Sequence, residues 1–137
     1  MDPKLKKLLI KHEGYKHKPY VDTVGKITIG VGRNLTDNGL SDDEILYLLQ
    51  NDVDRTIEEL SRTLSNWDQL DDCRQIALID MVFNLGLPRF KTFKKTIKYL
   101  EEFDFENASK EMLDSKWASD VGNRAIELSE IIRTGSC

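Results

Sequence analysis

Two carboxylates and a hydroxyl, Glu13, Asp22 and Thr28, stand within the stretch EGYKHKPYVDTVGKITIGVGR that runs from residue 13 to 33. A pair of carboxyl groups flanking a bond is how glycosidases divide acid work from base work. Taken singly, each residue has a plainer reading. Glu13 suits a solvated helix end, Asp22 a turn before Thr23, and Thr28 a strand, where β-branched residues pack well. It is the three together, nine and then six residues apart, that suggest chemistry.

The elements that must position them can be read in outline. Leu5, Leu8 and Leu9 share one face of Lys4–Lys11, which predicts a short helix ending near Glu13. Residues 15–33 alternate and carry glycines: Gly25 marks a hairpin turn, and Ile27, Ile29 and Val31 alternate with Thr28 and Gly30. Gly30 and Gly32 leave backbone bare, as bulges or for close ligand approach. In LSDDEI, Ser41 is the N-cap of a new helix, Glu44 closes a capping box, and Leu40 with Ile45 can form a hydrophobic staple. Apolar residues at 45, 49, 53, 57, 60 and 64 predict a helix of about six turns that joins two lobes. Asp71 caps a strongly apolar helix, DCRQIALIDMVFNLG, which stops at Gly86 and reads as a central helix surrounded by others. Phe90–Phe103, Phe105–Asp114 and Gly122–Arg133 read as further helices. The expected architecture is α+β. A hairpin lobe spans about 13–40 and a connecting helix about 42–62, with a helical lobe over about 66–137 that also takes in the N-terminal helix.

Composition narrows the function classes. The chain has 137 residues, 39% apolar and 32% charged, which suits one globular domain. No apolar run approaches the ~20 residues of a membrane span, and MDPKLKKLLI lacks the apolar core and cleavage site of a secretory signal. Cys73, in a largely apolar helix, reads as a reduced core thiol and Cys137 as an exposed terminal one, pointing to synthesis in a reducing cytoplasm. His12 and His17 read as surface residues without metal-ligand company, so neither a metal nor a cofactor is expected. With a net charge of -4 and no basic stripe, nucleic acid is not an expected partner. The same acidity would weaken steering toward an anionic polymer.

Several pieces fall in a single order over nearly the whole chain: EG at 13–14, YVDTVGKITIGVG at 20–32, LSDDEILYLLQNDVD at 40–54, DMVFNLG at 80–86, SKW at 115–117, and NRA and RTG at 123–125 and 133–135. Together they resemble the phage lysozymes (endolysins) of the T-even type. That resemblance implies a lysozyme-like fold and hydrolysis of the β-1,4 bond between N-acetylmuramic acid and N-acetylglucosamine in bacterial peptidoglycan. It implies a monomer, made in the bacterial cytoplasm and acting on the wall after release. Glu13 would protonate the departing oxygen, and ionised Asp22 would stabilise positive charge at the sugar and help activate a water. Thr28, able to accept and donate at once, would orient that water. The outcome would be inversion, which needs room for the water between the carboxyls. Spacing and neighbours thus reverse the plainer readings.

Further residues follow from the same likeness. Arg124 matches an arginine that lies against the glutamate in similar lysozymes. Asp80, in the most apolar helix, needs a partner if buried, and Arg124 is the candidate. Phe83, Asn84 and Leu85 match a stretch that borders the saccharide cleft, although Phe83 reads equally well as helix-end core; with Gly30 and Asn123 they are the candidate substrate-binding residues. Tyr15, Tyr20 and Trp117 read as core or lobe-contact aromatics rather than sugar platforms. One departure stands out: similar enzymes often carry a histidine after Gly32, paired with an aspartate on the long helix. Here Arg33 replaces it and Asp52 is retained, which predicts a tie without a histidine's pH dependence. Two other functions fit less well. A lytic transglycosylase would have less need of Asp22 and Thr28, and a non-catalytic peptidoglycan-binding module would have no need of all three.

Overall fold

The computed structural model describes residues 1–137, which divide into two compact units, Met1–Tyr47 and Leu48–Cys137. The fold is α+β and lysozyme-like, with one small antiparallel sheet and many helices.

In the first unit, helix α1 (Pro3–Glu13) starts where the Asp2 carboxylate accepts from the Lys4 N–H at 2.7 Å, with Pro3 opening its first turn. It stops at Gly14, whose φ of +86° directs the chain away while its N–H bonds Ile10 O. Glu13 is therefore the last helical residue. Strands β1 (Lys16–Val21), β2 (Ile27–Gly30) and β3 (Arg33–Asn34) form a sheet in that order. Tyr20 pairs with Thr28 and Val21 with Ile27, but the register slips between Lys16 and Tyr20. Pro19 lies in that interval, and a proline cannot donate to a ladder. The expected hairpin thus gains a third strand. Asn34 ends it and caps the short helix α2 (Leu35–Asn38), its Oδ1 accepting from Asp37 N–H. The alternation also runs opposite to its letters. Thr28 is the buried residue of β2, at 4% exposure, while Ile27 and Val31 face solvent.

Helix α3 (Asp42–Thr63) begins in the first unit and continues through the second. Its start is the expected capping box: Ser41 N–H donates to Glu44 Oε1 at 2.9 Å and Glu44 N–H to Ser41 Oγ at 3.2 Å. Leu40 and Ile45 are both exposed. The apolar stripe packs only in its later turns, where Leu60 and Leu64 are buried and Ile57 lies against the core.

The second unit holds the hydrophobic core. Helix α4 (Asp72–Leu85) is capped by Asp71, stops at Gly86 and buries Ala77, Leu78, Met81 and Val82. It is not surrounded, because Ile76 and Phe83 remain exposed on its other side. The single helix expected over Phe90–Phe103 is two, α5 (Leu87–Phe90) and α6 (Lys94–Glu101). Thr92 sits at the break, its hydroxyl donating to Arg89 O at 2.6 Å, a local bond that competes with helix continuation. Then come α7 (Phe105–Leu113), α8 (Lys116–Val121) and α9 (Asn123–Thr134), with α9 packed on α4, α7 and α8. Trp117 on α8 is buried, as expected, whereas Tyr15 of the first unit is exposed.

The cysteines correct the reading of free thiols: Cys73 and Cys137 form a disulfide. Tertiary contacts set it up. Arg74, next to Cys73, donates to Ile132 O at 2.7 Å and Arg133 O at 3.2 Å, holding the end of α9 against the first turn of α4. No helix is long and apolar enough to cross a membrane.

Candidate active site

Glu13, Asp22 and Thr28 all lie in the first unit. Asp22 and Thr28 meet at the backbone of one residue, Lys26. Asp22 N–H donates to Lys26 O at 2.9 Å, and Lys26 N–H returns to Asp22 Oδ1 at 2.8 Å. Val24 N–H also donates to Oδ1, at 3.0 Å. Asp22 is thus a turn residue, as its plainer reading has it, but the turn engages only one carboxylate oxygen. Oδ2 makes no hydrogen bond to the protein and stays available. Across the turn, Thr28 Oγ donates to Lys26 O at 3.1 Å. Its proton is committed to that carbonyl, so toward a ligand or water the hydroxyl offers lone pairs.

Glu13 closes α1 with its side chain exposed and without an ion pair or hydrogen bond. What it touches is backbone: Gly32, at the β2–β3 turn with φ +64°, faces its carboxyl directly. Arg33 follows, and here the expectation of a tie to Asp52 is corrected. The guanidinium grips Glu44 twice, Nη1 to Oε1 at 2.8 Å and Nη2 to Oε2 at 2.6 Å, and donates to Gly39 O at 3.2 Å. Asp52 pairs instead with Arg55, one turn along its own helix. The fork of an arginine fits a carboxylate bidentately, and the capping-box glutamate already stood within reach. Arg33 and the Ser41 donors hold the Glu44 carboxyl down at about 2.

In the second unit, Arg124 and Asp80 pair as expected, Arg124 Nε and Nη2 reaching Asp80 Oδ1 at 2.8 and 2.7 Å. Both are partly exposed, at 40% and 44%, so Asp80 escapes the apolar interior its helix suggested. The pair edges an apolar groove of about 390 Å³ lined by Leu49, Val53, Ile76, Ile79 and Phe83. Of the positions marked by the resemblance, Phe83 is exposed on this groove and Asn123 is exposed at the start of α9. Asn84 accepts the Trp117 indole N–H at 2.9 Å, and Leu85 packs against the core; both are fixed in the framework. Gly30 has open space beside it. Sequence reasoning missed Glu44 as the partner of Arg33 and Gly32 as the surface behind Glu13. The two bare glycines of GVG were the one available signal for the latter.

A small polar lobe that carries a helix-end glutamate and a turn-bound aspartate beside a buried threonine defines a lysozyme-like class. The chain belongs to the phage lysozyme family, whose model matches residues 10–131. It is 31% identical to probable T4-type lysozyme 1 of Dictyostelium discoideum, over 96% of this chain and 95% of that one. Probable T4-type lysozyme 2 of the same organism is 28% identical with the same coverage. The pre-baseplate central spike protein Gp5 of Enterobacteria phage T4 is also 28% identical, over 94% of this chain and 27% of its own. Family membership supports a lysozyme-like muramidase activity on peptidoglycan.

Proposed function

We propose that this chain hydrolyses the β-1,4 bond between N-acetylmuramic acid and N-acetylglucosamine with inversion, and that it serves bacterial cell lysis. The observation that carries this reading is the shared Lys26 backbone. Its N–H binds Asp22 through one oxygen and its carbonyl binds Thr28 through its proton, leaving Asp22 Oδ2 and a Thr28 lone pair for a water. That water would donate to both oxygens and, as its lone pair attacks the anomeric carbon and the glycosidic C–O bond breaks, pass a proton to Asp22. Glu13, unencumbered at the end of α1, would give its proton to the leaving oxygen. Inversion follows if the water is held on the face opposite Glu13, with a carboxyl separation in the range of ~6.5–9.5 Å.

The acidic balance does not oppose this reading. Residues 48–137 carry twelve Lys and Arg against seventeen Asp and Glu, whereas residues 1–47 carry eight against seven. The unit with the candidate catalytic groups is therefore not acidic. We place the site of action at the wall, outside the reducing cytoplasm, where a Cys73–Cys137 bond would persist.

Digestion of purified peptidoglycan followed by mass analysis tests the reaction. Hydrolysis gives products that have gained a water, a lytic transglycosylase gives products lighter by that water, and a binding module gives none. Anomeric proton signals recorded early in the digest distinguish inversion from retention. A covalent glycosyl adduct on Asp22 would rule out the inverting course.

A further inference from the structure

We propose that Gly32 is a positioning residue for Glu13: the bare Cα of Gly32 is the surface on which the Glu13 carboxyl is placed. The proposal rests on Glu13 being the acid of the reaction proposed above. A Cβ built on Gly32 would meet Glu13 Oε2 at 2.6 Å, and Glu13 Cβ and Cδ at 3.1 Å each. The first distance is one that real Cβ atoms do not show. The second involves an atom anchored directly to α1, so rotating the end of the side chain would not relieve all of it.

The glycine itself cannot withdraw. Arg33 pairs with Ile29 across the β2–β3 ladder, and its guanidinium is clamped by Glu44 and Gly39 O. With that wall fixed, the carboxyl must move, while Asp22 and Thr28 stay bound to the Lys26 backbone. Conformation alone does not explain the residue. Gly30 and Gly39 also have positive φ, +69° and +57°, yet a Cβ on either would meet nothing within 4 Å. Gly32 differs in having the Glu13 carboxyl against it.

The test compares kcat and KM on purified walls for Gly32→Ala, Gly122→Ala, Glu13→Gln and the Gly32→Ala/Glu13→Gln pair. Gly122 has a similar φ of +61°, a Cβ there would meet nothing within 4 Å, and it takes no part in the Arg33 clamp. Displacing a reacting group by about 1 Å can slow a reaction on the order of 10²-fold. Gly32→Ala should therefore lose kcat on that scale with KM little changed, and Gly122→Ala should keep it. In the Glu13→Gln background Gly32→Ala should add no further loss, as residues acting through one another are non-additive. Full kcat in Gly32→Ala, an equal loss in Gly122→Ala, or a loss that multiplies that of Glu13→Gln would overturn the proposal. Near wild-type activity of Glu13→Gln would instead overturn the assignment of the acid. Should Gly32→Ala unfold too readily to assay, Glu13→Ala in the same chain removes the 2.6 Å contact with Oε2 and that with Cδ, and should raise its unfolding midpoint. A double variant no more stable than Gly32→Ala would refute the contact.

Discussion

Within Met1–Tyr47 one residue is fully buried, Thr28, whereas Leu48–Cys137 buries sixteen hydrophobic residues around α4. The two units are held together by different physics. The second relies on removal of apolar surface from water and on close packing, and is sensitive to volume. The first relies on directional polar contacts: the Asp22 turn, the Asn34 cap, the Arg33–Glu44 fork and glycines at positive φ. All three candidate catalytic groups sit in the polar unit. Carboxylates there keep their water and their free oxygens, which an apolar core would deny them.

The contrast can be broken most forcefully in the core. Leu78→Ala or Met81→Ala, at fully buried positions, should lower unfolding free energy by about 2–5 kcal/mol, read by denaturant titration. The molecules that remain folded should cleave walls at an unchanged rate. Opening the disulfide is next. It joins residues 64 apart in sequence, so its loss in Cys137→Ser should cost about 2–4 kcal/mol in the same titration, again without slowing the chemistry. Reductant should act on wild type as the substitution does and leave Cys137→Ser unaffected.

The smallest effect belongs to the polar unit and appears as pH dependence. Glu44 has its carboxyl lowered in the fold from 4.5 to about 2, chiefly by the Arg33 hydrogen bond. A depressed carboxylate stabilises the fold above its unfolded value, and that contribution is lost as pH falls toward the folded value. Amide exchange in β2 and β3 should therefore be slower in wild type than in Glu44→Gln at neutral pH. The difference should close as pH falls from 4.5 to about 2. A difference that is constant over this range would remove Arg33–Glu44 from the contacts holding the sheet.

Legibility in the sequence followed the same division of forces. Caps and stops are local, so Ser41 with Glu44, Asp71 and Gly86 could be read directly from their neighbours. The break at Thr92 depends on one hydroxyl choosing a carbonyl, which composition does not announce. In the sheet the alternation was legible but not its direction: β2 turns Thr28 in and leaves Ile27 outside. Long-range pairings were the least visible. Arg33 had two acidic candidates and took the one already fixed by a cap, while Cys73 found Cys137 through contacts made by Arg74. The candidate site was legible as three residues in order, but not as a Lys26 backbone that binds two of them.

We propose that chemistry and stability are housed apart in this chain, with Glu13 as the acid. Clearing of bacterial walls by Glu13→Gln, measured beside its unfolding midpoint, tests it most directly. Glu13 is exposed and makes no hydrogen bond, so the midpoint should equal that of wild type. Loss of the acid should slow clearing by about 10²–10⁴-fold. A Glu13→Gln protein that clears walls near the wild-type rate would contradict the account.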